Sequence, residues 1–126
     1  MTWFSRTQKS VTLSTTEAEY VAMADGVKEA MYLRGVLTFL RPEVETPSIS
    51  VFEDNRGAKA LAENPLSSSN SKHIDVRHHF LRGLVAKGDI TVNDIPSKEQ
   101  LADILTKVLD RESFQANRDF LLGLRK

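Results

Sequence analysis

The stretch Ser48-Ile49-Ser50-Val51-Phe52-Glu53-Asp54-Asn55-Arg56-Gly57-Ala58-Lys59-Ala60-Leu61-Ala62 decides the fold class. The β-branched and aromatic residues from Ser48 to Asp54 predict a short strand. Asn55-Arg56-Gly57 turns the chain, and Ala58 to Ala62 is built of strong helix formers. Downstream, Ile74, Leu81, Leu84 and Val85 set an amphipathic helical stripe that ends near Gly88. Asp89 to Ile95 then alternates Ile90 and Val92 with polar neighbours before Pro96, which predicts a second strand. Between the two helices, Asn64 to Ser71 is a polar, serine-rich surface loop.

Upstream, Ser14-Thr15-Thr16-Glu17 has the form of a capping box and predicts a helix start. Ala22, Met23, Gly26, Ala30, Leu33, Leu37 and Leu40 recur at three- and four-residue steps, so one stripe is expected to face a core until Pro42 and Pro47 close the segment. Tyr20, Met23 and Met31 read as core at helical spacing. Thr2 to Gln8, with Trp3 and Phe4, predicts a short half-buried strand. Toward the C-terminus, Ser97-x-x-Gln100 reads as a second capping box, opening a helix with Leu101, Ile104, Leu105 and Val108. Phe114, Phe120, Leu121 and Leu122 predict a terminal helix, so residues 111–126 form a helical extension of a single domain spanning 1–126. The order is strand, helix, strand, helix, helix, strand, helix, helix, an α/β alternation with parallel pairing of the later strands.

Composition narrows the chemistry. The 126 residues leave no room for a second domain of ordinary size, and the absence of cysteine excludes a disulfide scaffold, a Cys-based zinc site and a thiol nucleophile. Lys+Arg and Asp+Glu balance at 17 each, so any nucleic-acid contact must come from local clusters rather than a basic domain. No apolar run is long enough for a spanning helix and the N-terminus lacks a secretory core, so a soluble, intracellular chain is expected, its compartment open. No phosphate-cradling glycine loop or serine nucleophile elbow occurs.

Three acids stand out by position. Glu19 lies on the stripe of the first helix, where an unpaired charge is costly to bury. Asp54 closes a strand at the carboxyl edge of the sheet, the crevice where α/β proteins bind ligands. Asp103 follows the next strand and can reach the same edge. Such oxygen-only donors suit Mg²⁺ or Mn²⁺. Each acid also has a structural reading: helix starts favour acids, and Asp103 can pair with Lys107 one turn on. Glu17 reads as a cap and Glu53 as a solvated strand edge.

All three histidines fall within Lys72-His73-Ile74-Asp75-Val76-Arg77-His78-His79. Asp75, His79 and Arg82 share a face opposite the apolar stripe, and phosphate contact by this basic face is a stronger reading than a zinc site, whose spacing is wrong.

Gln8 to Tyr20 (QKSVTLSTTEAEY), Glu53-Asp54-Asn55, Lys72 to Phe80 (KHIDVRHHF) and Gln100 to Lys107 (QLADILTK) together resemble the ribonuclease H domain of copia-type retrotransposon polyproteins, in that family's order and spacing. The resemblance runs from about Trp3 to Leu124. It implies a ribonuclease H-like fold, a mixed sheet flanked by helices that cuts the RNA strand of an RNA/DNA hybrid with two Mg²⁺ or Mn²⁺ ions held by four acids. Glu19, Asp54 and Asp103 match three of these as catalytic and metal-binding residues. Asn55, Arg56, Lys72, His73, Arg77 and His79 are the expected nucleic-acid contacts.

One departure from the family shapes the expectation. Its first catalytic Asp lies on the first strand, upstream of the segment that resembles Trp3 to Arg6, and this chain starts at Met1. The first two of the usual five strands and one metal ligand are therefore expected to be lacking, and activity to be weak or lost. The strand ending at Asp54 would then expose an edge, covered by the Trp3 segment, by a second copy or by a partner's strand. Asp25 and Asp75 are the nearest substitutes for the lost acid, though neither lies on the lost element. The alternative function is a domesticated, non-catalytic module that binds nucleic acid or a protein.

Overall fold

The computed structural model describes residues 14–63 and 72–124, with the course of the helix alone for residues 72–78. The strand expected at Thr2 to Gln8 and the loop from Asn64 to Ser71 lie outside the described residues. Those described fall into two compact units, 14–94 and 95–124.

In the first unit, helix α1 (Thr15–Leu40) begins where the capping box predicts: the Ser14 Oγ accepts the Glu17 N–H at 3.2 Å. Strand β1 (Ile49–Glu53), helices α2 (Arg56–Glu63) and α3 (Lys72–Ala86) and strand β2 (Ile90–Asp94) follow. The two strands pair in parallel, Ile49 opposite Ile90 and Val51 opposite Val92, so the helical pair α2–α3 is the crossover between them. Gly88, at φ +75°, ends α3. Its N–H donates to Val85 O at 3.0 Å and the Asp89 N–H to Leu84 O at 3.0 Å, the paired bonds of a Schellman stop that only glycine enters at little cost. Arg34 of α1 then fastens the start of β2, donating to Asp89 Oδ1 at 2.7 Å and to its carbonyl at 3.2 Å.

The core joins Tyr20, Met23, Ala24 and Val27 of α1, Ala58 and Ala62 of α2, Leu81 of α3, and Ile90 and Val92 of β2. Alanines on α2 let that helix lie close to its neighbours. Tyr20, Met23 and Met31 face the core as their spacing predicts, and Val27 joins them, while Ala22 of the expected stripe is exposed. The second half of that stripe is also uncovered, with Leu37 at 62% and Leu40 at 66% exposure. Periodicity shows that residues share a face; it does not supply anything to pack on that face.

The second unit holds two short 3-10 helices (Ser97–Glu99 and Leu101–Leu105) and helix α4 (Arg111–Leu121). The capping box at Ser97 does not form, since neither 3-10 helix has a side-chain cap. An α-helix starts only at Asp110, whose carboxylate accepts the Ser113 N–H at 2.8 Å and its hydroxyl at 2.7 Å. These bonds hold the Asp110 carboxyl below its usual range. The protein is mixed α/β, and no helix among the described residues is long and apolar enough to cross a membrane.

Candidate functional site

At the carboxyl end of β1 the chain must stop pairing, turn and start a helix within three residues, and Asn55 does most of this. Its Oδ1 accepts the N–H groups of Gly57 at 3.0 Å and Ala58 at 3.1 Å, capping α2. The same oxygen accepts the Thr16 hydroxyl of α1 at 3.4 Å. The Asn55 N–H in turn donates to Glu53 Oε1 at 2.9 Å. Asp54, half-buried, sits between these two anchored residues.

Glu53 corrects the reading of a solvated strand edge. It is only 6% exposed, because β1 alternates and Glu53 shares the covered face of Ile49 and Val51. Burial pushes its carboxyl up, the Asn55 N–H pulls it down in part, and the charges of Glu19 and Asp54 push it up further. Glu19 and Asp54, from different elements, thus both act on Glu53. The period-two pattern was the signal that could have found it.

A carboxyl raised in the folded state binds more protons there than in the unfolded chain, so stability falls as pH rises above about 4.5 toward the raised value. Glu53→Gln keeps an acceptor for Asn55 and removes the charge. It is expected to raise the urea midpoint at pH 7 and to flatten its decline above pH 4.5, and an unchanged pH profile would refute the assignment.

Asp103, in the second unit, is 9% exposed and holds Lys107 Nζ at 2.9 Å from Oδ1 and 3.0 Å from Oδ2, the ion pair its spacing allows. Of the basic segment, His79 is exposed on α3, and the side chains of Lys72, His73 and Arg77 lie outside the described residues. Arg82 does not share a solvated face with His79: it is half-buried, and its Nε donates to Leu61 O at 3.2 Å in the last turn of α2. Arg56 is exposed at the α2 N-terminus. Asn55 occupies two of the amides there.

Among the described residues no three His, Asp or Glu side chains are grouped closely enough to enclose a metal ion. Mg²⁺ keeps several of its waters and takes one or two carboxylates, so Glu19 and Asp54 suit one hydrated ion rather than a closed cage. A cavity of about 690 Å³ lies elsewhere, between the end of α1 and the segment leading into β1, lined by Leu33, Leu37, Leu40, Val44 and Ile49 with Arg34 and Arg41. It contains none of the candidate acids.

No protein-family model and no solved structure matches the chain. It is 39% identical over 115 residues to the retrovirus-related Pol polyproteins from transposons RE1 and RE2 of Arabidopsis thaliana, covering 91% of this chain and 8% of each relative. It is 37% identical over 124 residues to the retrovirus-related Pol polyprotein from transposon TNT 1-94 of Nicotiana tabacum, covering 98% of this chain and 9% of the relative. The homologues of this chain are thus copia-type, retrovirus-related Pol polyproteins, and what they share with it is a segment less than a tenth of their own length.

Proposed function

We propose that the chain is a ribonuclease H-like segment of a retrotransposon Pol polyprotein, acting on the RNA strand of RNA/DNA hybrids. The observation that carries this reading is the turn at the carboxyl end of β1, where Asn55 bonds α1, the strand end and α2 and so holds together the elements that carry Glu19 and Asp54. The charges of these two acids, carried on separate elements, both reach the buried Glu53 there, at the strand edge where α/β proteins bind ligands. The order and spacing of the quoted motifs, and the Pol polyprotein homologues, support the same reading.

Glu19 and Asp54 of the first unit are proposed to hold Mg²⁺ or Mn²⁺, and Asp103, in the second unit, is proposed as a ligand on its QLADILTK motif alone. Such ions, when bound, stabilise the attacking and leaving oxygens of a phosphodiester. The chain's own part is to fix the acids. The Ser14 cap sets the start of α1 five residues before Glu19, Asn55 sets the turn after Asp54, and Lys107 holds Asp103. Arg56 and His79, both exposed, are the described side chains proposed to meet the hybrid backbone. Glu19, Asp54 and Asp103 correspond to three of the four acids that the resemblance implies.

The second reading is a binding module without turnover, serving nucleic acid, a protein or a second copy of the chain. It is favoured by the pairing of Asp103 with Lys107, which occupies both oxygens of that carboxylate. One experiment separates the two: a labelled RNA/DNA hybrid is incubated with the protein and Mg²⁺ or Mn²⁺, beside Glu19→Gln. RNA-strand cleavage lost in Glu19→Gln supports the nuclease. Salt-dependent binding to the hybrid without cleavage supports the nucleic-acid module. Neither cleavage nor binding removes nucleic acid as the substrate, and light scattering then tests self-association.

A further inference from the structure

We propose that Thr16 and Asn55 are positioning residues that set the spacing between the carboxylates of Glu19 and Asp54. The inference rests on the reading of these two acids as a divalent-ion pair and adds to it how the pair is held.

Glu19 and Asp54 lie on elements far apart in sequence, so something must fix α1 against the turn after β1. The contact that does so is specific. Thr16 Oγ1 lies 3.4 Å from Asn55 Oδ1, across 39 residues of chain. This is long for a hydroxyl bond, and packing reinforces it. A Cβ on Gly57 would lie 2.9 Å from Thr16 Cγ2 and 3.1 Å from both Thr16 Oγ1 and Asn55 Oδ1. The bare α-carbon of Gly57 therefore lets α2 close onto Thr16, a depth no other residue allows without displacing its neighbours.

Each end of this contact leads to one acid. Thr16 and Glu19 are three residues apart on α1 and share a face, so a shift of Thr16 carries Glu19 with it. On the other side, Asn55 is held by three hydrogen bonds: its N–H by buried Glu53, and its Oδ1 by the Gly57 and Ala58 amides. The backbone of Asp54 lies between Glu53 and Asn55 and follows them. Capping alone would not require this arrangement. Serine caps a helix about as well as asparagine but is too short to reach across to α1, so the longer side chain joins the two elements as well as ending one.

The test uses the whole chain, Mn²⁺ alone as the probe, free Mn²⁺ read by electron paramagnetic resonance, and thermal unfolding of each variant. Thr16→Val removes the hydroxyl and keeps the shape, Thr16→Ser restores the hydroxyl, and Asn55→Ser keeps the α2 cap without the reach. Thr16→Val and Asn55→Ser are expected to weaken Mn²⁺ binding about tenfold, the cost of losing an outer support of a ligand, with melting temperatures close to wild type. Thr16→Ser is expected to bind nearly as wild type. Wild-type Mn²⁺ affinity in folded Thr16→Val and Asn55→Ser, with binding lost in Glu19→Gln, overturns the positioning role and leaves the ion pair standing. Equal weakening in Thr16→Val and Thr16→Ser also overturns it, since the hydroxyl is then irrelevant. If Thr16→Val does not fold, Asn55→Ser alone decides. No Mn²⁺ binding by the wild type overturns the ion-pair reading itself, and the positioning role with it.

Discussion

Replacing Tyr20 with alanine is expected to destabilise the 14–94 unit by about 3–5 kcal/mol, the cost of deleting a buried aromatic side chain. Tyr20 is fully buried and heads the core that joins α1, α2, α3 and β2. A small domain has only about 5–15 kcal/mol in hand, so the variant is expected to be partly unfolded at physiological temperature. Tyr20→Phe keeps the ring and is expected to cost much less near neutral pH. Above pH 10 the wild-type and Tyr20→Phe profiles should part. Burial pushes the Tyr20 hydroxyl up to about 12, with the Arg82 charge pulling the other way. The folded chain therefore keeps a proton that the unfolded chain gives up from about pH 10, and stability falls through the window from 10 to 12. Tyr20→Phe removes that fall. Urea midpoints of wild type and both variants from pH 7 to 11 measure all of this, and a loss below about 1 kcal/mol for Tyr20→Ala would mean that the core lies elsewhere.

What the sequence disclosed, and what it withheld, divides along physical lines. The β1–α2 turn, the helix start at Ser14, the end of α3 at Gly88 and the parallel pair were legible because each depends on local chemistry. β-branched alternation, a capping oxygen and a glycine at positive φ are each written within a few residues, and a helical crossover between two strands implies their parallel pairing. The Asp103–Lys107 pair was legible for the same reason. Failures came where the outcome depended on distant partners. The stripe through Leu33, Leu37 and Leu40 was periodic, yet the unit supplies little to cover its outer part. Ser97-x-x-Gln100 had the letters of a capping box, yet only short 3-10 helices follow, and a cap stabilises an α-helix only where one propagates. Glu53 departs from the solvated strand edge for another reason: its charge favours solvent, but alternation in its own strand places it inward with Ile49 and Val51.

The burial of Glu53 bears on function as well as folding. A carboxyl in the covered face of a sheet, pressed by two further acids, lowers stability at neutral pH, and such costs gather at functional sites because selection there acts on chemistry rather than stability. A purely structural turn would be more stable with glutamine at this position. The Asn55 N–H eases the burden on Glu53 without removing it.

Asp54→Asn should separate the two demands more sharply than any other substitution. Asp54 is half-buried at the end of β1, and asparagine fits the same volume without the charge that presses on Glu53. The ion-free variant is therefore expected to melt at or slightly above the wild-type temperature. Its behaviour with Mn²⁺ should be the reverse. An ion that binds only the folded chain adds stability by mass action, about 2.7 kcal/mol when present at 100 times its dissociation constant. Wild type should gain this increment in Mn²⁺, and Asp54→Asn should lose it. Any divalent-dependent hybrid cleavage should fall by about 100-fold or more in the variant, because a missing charged ligand disturbs the coordination geometry on which the chemistry depends. Calorimetry with and without Mn²⁺, beside the cleavage assay, reads both effects in one preparation. A variant that melts lower without the ion would make Asp54 a structural residue of the turn, and one that keeps both the Mn²⁺ increment and the cleavage would remove Asp54 from the site.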